Sequence, residues 1–98
     1  MTGEFFDGRE AERLGLVNRA VPSDQVLACA ESLAKKIMER APISIELTKQ
    51  AVESGVQTDL TTAMALEAAS TIACFLTDDA KEGARAFVEK RAPRYRGR

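Results

Sequence analysis

Apolar residues recur along this chain at helical rather than strand spacing, and Gly and Pro punctuate them. A first short helix is predicted over Gly8–Leu14, with Asp7 as N-cap and Glu10 three residues on at capping-box spacing. Gly15 ends it as a left-handed cap. Leu16–Val21 alternates weakly and stops at Pro22, which predicts a short extended stretch, too little for a sheet. Ser23 or Asp24 then caps a second helix. Its Val26, Leu27, Ala30, Leu33, Ala34, Ile37 and Met38 follow the i, i+3, i+4, i+7 template, and Lys35, Lys36, Glu39 and Arg40 face outward.

Ala41-Pro42 breaks that helix, because Pro lacks a donor and pushes its predecessor out of the helical region. Pro42 opens a third helix running through Ile43, Leu47, Ala51 and Val52 to Gly55. A fourth opens at Thr58 or Asp59 and carries Leu60, Ala63, Met64, Ala68, Ile72 and Phe75. Ala65, Leu66, Ala69 and Ala73 spread its apolar surface around the cylinder. A surface that wide places this helix at the centre of a bundle or makes part of it an intersubunit or interdomain face. A last helix begins near Thr77-Asp78-Asp79, with acids at its positive end and Asp79 and Glu82 at capping-box spacing. It continues through Ala80, Ala84, Phe87 and Val88 until Pro93 stops it. The fold class is mainly α, with about five short helices in a single domain over residues 1–98 that ends in a basic tail, 91–98.

At 98 residues the chain makes one small domain with a modest core. The absence of His, with only Cys29 and Cys74 far apart, rules out a His-containing or four-cysteine zinc site and an imidazole-driven nucleophile. No metal site is expected. The low cysteine usage fits a reducing, cytoplasmic setting. No apolar run reaches the length of a membrane span, and no membrane role is expected. Residues 1–80 carry 7 basic and 13 acidic side chains, for −6, whereas residues 81–98 carry 7 basic and 2 acidic, for +5. That end either attracts an anion or is a solvated, frayed tail. Tyr95 alone interleaves its final arginines, so no nucleic-acid role is expected.

The carboxylates carry little chemistry by pattern. Glu10 reads as a cap, Glu12 as solvated, Glu67 as one half of an ion pair with a nearby Lys or Arg, and Asp78-Asp79 as a cap rather than a metal site. Cys29 and Cys74 read as small packed hydrophobes. No phosphate-binding glycine loop is present.

Several segments taken in order carry more. Met1-Thr2-Gly3-Glu4 precedes the run Glu10 to Arg19 (EAERLGLVNR) and Val21-Pro22. Residues 41–49 read APISIELTK, and residues 77–93 read TDDAKEGARAFVEKRAP. This order strongly resembles the C-terminal part of the enoyl-CoA hydratase/isomerase (crotonase) family over nearly the whole chain, most specifically in Glu82-Gly83 and Phe87 to Arg91. Phe6 and Gly8 are mild departures.

The resemblance implies the C-terminal helical, oligomerising region of a longer acyl-CoA enzyme. The family's oxyanion-hole amides and catalytic carboxylates lie upstream of the matched segments, and Glu4 does not match one of them. No catalytic residue is therefore carried over, and the 98 residues alone are expected to be inactive. The resemblance also implies a homo-oligomer, a trimer often within a hexamer. No separate cofactor is implied, since coenzyme A arrives as part of the substrate. Phe87 and Lys90 match the positions that meet the adenine and the phosphates of coenzyme A, often on a neighbouring subunit, and Arg91 is a weaker phosphate candidate. Two alternatives stand beside this: Phe87 as core with Lys90 as a solvated helix end, and the whole chain as a non-enzymatic helical module for self-association or anion binding.

Overall fold

The computed structural model describes residues 3–98; Met1 and Thr2, which open the Met-Thr-Gly-Glu stretch, lie outside the described residues. Five α-helices follow in order: α1 (Gly8–Arg13), α2 (Val26–Met38), α3 (Pro42–Gly55), α4 (Leu60–Phe75) and α5 (Asp78–Val88). No strand occurs among the described residues. The Leu16–Val21 stretch, expected to be extended, bends through Leu16–Asn18 and then runs irregularly to Pro22. The chain forms two compact units, one ending at Ala34 and the other Lys35–Arg98, with the division inside α2.

In the first unit the Asp7 carboxylate accepts the Glu10 amide at 2.9 Å, as a capping residue should. The reciprocal half of the expected capping box does not form. Glu10 turns toward Arg13 instead, in a two-point ion pair at 2.6 and 2.7 Å. Glu12 is not simply solvated, because it accepts the Ala20 amide at 2.9 Å and so holds the loop after α1. Gly15 takes φ +76°, with its amide on the Glu12 carbonyl and the Leu16 amide on the Ala11 carbonyl, a complete Schellman ending. Ser23 and Asp24 lie within a short 3-10 turn, Ser23–Gln25, and supply no side-chain cap.

The second unit is built on α4. Pro42 stands at the start of α3, where its missing amide costs nothing. Asp59 caps α4 by accepting the Thr62 amide at 3.1 Å and the Thr62 hydroxyl at 2.7 Å. Helix α3 packs along α4, and α4 meets α5. The α3–α4 approach is close: a Cβ on Gly55 would stand 3.4 Å from that of Ala63.

Large apolar side chains nevertheless remain uncovered. On α2, Leu27 and Met38 are exposed, as are Leu60, Met64, Ile72 and Phe75 on α4. Helix α4 stands between α3 and α5, yet none of its residues is buried. The only buried apolar residues among those described are Ala11 and Ala86. No single described helix is long and apolar enough to cross a membrane.

Candidate functional site

The chemistry-bearing residues gather on α5 and the segment behind it. Thr77 caps the helix, its hydroxyl accepting the Ala80 amide at 3.1 Å and donating to the Cys74 carbonyl at 2.7 Å. Asp79 is therefore free of capping duty, and the expected Asp79–Glu82 capping box does not form. Asp79 is buried at 2% exposure. Its two carboxylate oxygens accept the Arg96 and Gly97 amides at 2.7 Å each, and its own amide donates to the Arg98 carbonyl at 3.1 Å. Charged acceptors on successive amides make strong hydrogen bonds. Asp78 pairs with Lys81 at 3.1 Å across one exposed turn.

Glu82 holds the same segment one turn further along. It accepts the Arg94 amide at 2.9 Å and both terminal nitrogens of Arg91, at 2.6 and 3.0 Å. Between these anchors Tyr95 lies over Gly83, where a Cβ would come within 3.2 Å of the phenol oxygen. Residues 94–98 are thus docked along α5, and the solvated, frayed tail allowed by charge alone is not what forms. Arg94, Arg96 and Arg98 stay exposed, while Tyr95 turns inward.

The Arg91 guanidinium and the Arg94 amide together hold the Glu82 carboxyl well below its ordinary 4.5, at about 2. A carboxyl depressed on folding adds stability above its unfolded value and gives it up as pH falls toward the folded one. The Glu82–Arg91 contact is therefore expected to persist unchanged from neutral pH to about pH 4.5 and to open only on approach to pH 2. A carbon-detected NMR titration of Glu82 should show a midpoint near 2; a midpoint near 4.5 would refute the contact.

Helix α5 ends at Val88, before Pro93 can act. The Lys90 amide bonds the Phe87 carbonyl at 3.2 Å and the Arg91 amide bonds the Ala86 carbonyl at 3.1 Å, the same Schellman pattern that closes α1. The residue at the left-handed position differs. Where α1 has Gly15, α5 has Lys90 at φ +53°. A side chain there meets the following carbonyl and costs about 1 kcal/mol or more relative to Gly.

Phe87 is 86% exposed in this chain, and Ala86, at 1%, is the inward residue of that turn. Lys90 is exposed and has no ion-pair partner among the described residues. The two candidates from the sequence thus sit at one helix end, with an open aromatic and a free ammonium. Arg91, the weaker candidate, is tied to Glu82 and Glu89. Asp79 and Glu82 were missed as tail anchors, because acids in a first helical turn read equally well as caps.

A groove of about 810 Å³ lies between α3, α4 and α5, lined by Leu47, Val52, Met64, Glu67, Phe75 and Tyr95 among others. The ion pair expected for Glu67 is absent among the described residues. Cys29 and Cys74 are half-buried thiols.

A family model described as enoyl-CoA hydratase/isomerase matches residues 1–98. A short-chain-enoyl-CoA hydratase of Clostridium acetobutylicum is 40% identical over 90 residues, covering 92% of this chain and 34% of the relative. A crotonyl-CoA hydratase of Syntrophomonas wolfei is 37% identical over 94 residues, covering 96% and 36%. Among solved structures, an enoyl-CoA hydratase from Bacillus anthracis superimposes with a TM-score of 0.86 at 38% identity, over 92% of this chain and 35% of that one. An enoyl-CoA hydratase/isomerase from Mycobacterium paratuberculosis gives 0.89 at 33% identity, over 99% and 38%. The chain spans about a third of the length of the curated relatives it matches. With the family match running from first residue to last, and the helices superimposing on solved members, this chain belongs to the enoyl-CoA hydratase/isomerase family.

Proposed function

We propose that the chain forms the coenzyme A-facing, assembly-forming part of an enzyme acting on acyl-CoA thioesters. The observation that carries this reading is the end of α5. A fully open Phe87 stands three residues before a Lys90 held at φ +53° where Gly would be less strained. Strain of this kind concentrates at ligand-contacting positions. In this reading the Phe87 ring offers an apolar face to the adenine and the Lys90 ammonium meets the phosphates as a mobile point charge. The helix C-terminus beneath Lys90 favours a cation, which steadies the ammonium between ligands.

The groove between α3, α4 and α5 and the cationic end of α5 support a binding and assembly role for these residues. The chemistry itself, addition of water to a 2-enoyl thioester or isomerisation through its enolate, is assigned to segments beyond the matched third. The exposed band on α4 supports assembly into a homo-oligomer; its being a trimer or hexamer is carried by the family resemblance alone, and a cytoplasmic setting by the low cysteine usage.

Lys90→Ala is expected to weaken coenzyme A binding by the assembled enzyme about tenfold, the loss of one charge-assisted contact. Isothermal titration with coenzyme A reads this directly. An unchanged affinity would remove Lys90 from the site, and with it the coenzyme A assignment of this helix end.

A further inference from the structure

A left-handed lysine persists only where its surroundings over-determine it, and the bonds around Lys90 show what does so. Arg91, the next residue, places its amide on the Ala86 carbonyl. Its guanidinium takes Glu82 through both terminal nitrogens and Glu89 through Nε. Glu89 is the residue before Lys90, and Glu82 lies two turns back on α5. One side chain therefore bridges both flanks of the strained position and closes a ring of bonds around it. Glu82 completes the ring from the far side by accepting the Arg94 amide at 2.9 Å, so the chain leaving Lys90 is fixed at a second point.

The same contacts have an electrostatic effect. Glu82 and Glu89 are the two carboxylates nearest Lys90 in sequence, and both are taken up by Arg91. Left unpaired, either would draw the ammonium onto the protein and repel an incoming phosphate. Arg91 holds both carboxylates in place and offsets one of their two charges, and the Lys90 ammonium makes no ion pair with either among the described residues.

We infer that Glu82 and Arg91 form a positioning clamp that fixes Lys90 in its left-handed conformation and leaves its ammonium free for a phosphate of coenzyme A. This rests on the coenzyme A reading of Lys90. The clamp residues do not touch the ligand; Arg91 acts by holding Glu82 and Glu89 in place rather than by binding phosphate itself. The planar fork of arginine suits this role, because it offers Nε to Glu89 and both terminal nitrogens to Glu82 in one fixed geometry that the single nitrogen of an ammonium does not reproduce.

The test is a double-mutant cycle with coenzyme A as the probe, on the assembled enzyme, together with the Lys90 Cα chemical shift. Glu82→Gln is expected to weaken binding about threefold in the wild-type background and not at all in Lys90→Ala, since neighbours acting through one another are non-additive. Arg91→Lys is expected to reproduce the Glu82→Gln result and serves where that variant folds poorly. In both clamp variants the Lys90 Cα shift should move away from its left-handed value. Equal losses in both backgrounds would mean that Glu82 acts only through general stability and would overturn the clamp. So would a Lys90 shift that stays unchanged in both variants. Failure of Lys90→Ala to alter affinity would instead overturn the coenzyme A reading, and the Lys90 shift would still decide whether the clamp sets its conformation.

Discussion

Asp79→Ala is expected to destabilise the Lys35–Arg98 unit by about 2–4 kcal/mol, the largest effect of any single substitution considered. The carboxylate is buried and makes both of its 2.7 Å bonds to consecutive amides, so truncation removes two charge-assisted contacts at once. It also frees the segment that places Tyr95 over Gly83. Asp79→Asn keeps one acceptor oxygen and should lose roughly half as much. Urea unfolding reads the stability, and amide exchange at Arg96 and Gly97 reads the cause. If those two amides exchange as freely in the wild type as in the variant, the clasp does not operate in solution and the argument fails.

The second large effect concerns the uncovered band on α4. Met64 and Phe75 are 60% and 73% exposed and share the groove with Leu47, Val52 and Leu60. The double substitution Met64→Glu with Phe75→Glu is expected to shift the assembly to monomer. Burying an unpaired carboxylate costs several kcal/mol, more than a subunit contact of ordinary size tolerates twice. Sedimentation or light scattering would show the loss of mass, with helical content retained. An unchanged mass distribution would show that this groove is not where subunits meet.

The acidic first turn of α5 shows how far the sequence could be read. Thr77, Asp78, Asp79 and Glu82 all stand where an N-terminal cap or a favourable dipole contact belongs, and pattern alone assigns them alike. In the folded chain they part company. Thr77 caps, Asp78 pairs with Lys81, and Asp79 and Glu82 hold backbone many residues downstream. Arg91 was legible as a cation near Lys90; that it pairs with Glu82 and Glu89 was not. Glu10 and Glu12 repeat the lesson at the other end of the chain, one taking Arg13 and the other the Ala20 amide.

What the sequence determined by itself is the local layer. The five helices, the breaks at Ala41-Pro42 and Gly55, the caps Asp7 and Asp59 and the left-handed Gly15 rest on interactions within about four residues, which residue order encodes directly. The same order carried the family likeness and singled out Phe87 and Lys90. Only the tertiary structure decided that Ala86 rather than Phe87 faces inward within this chain, that Lys90 takes φ +53°, and that the basic tail is docked. The contacts responsible run from Asp79 to Arg96 and Gly97, 17 and 18 residues apart, and from Glu82 to Arg91, 9 apart. A carboxylate can satisfy itself locally or at a distance at similar free energy, so the choice between them is made only when the folded chain brings a particular amide or guanidinium within reach.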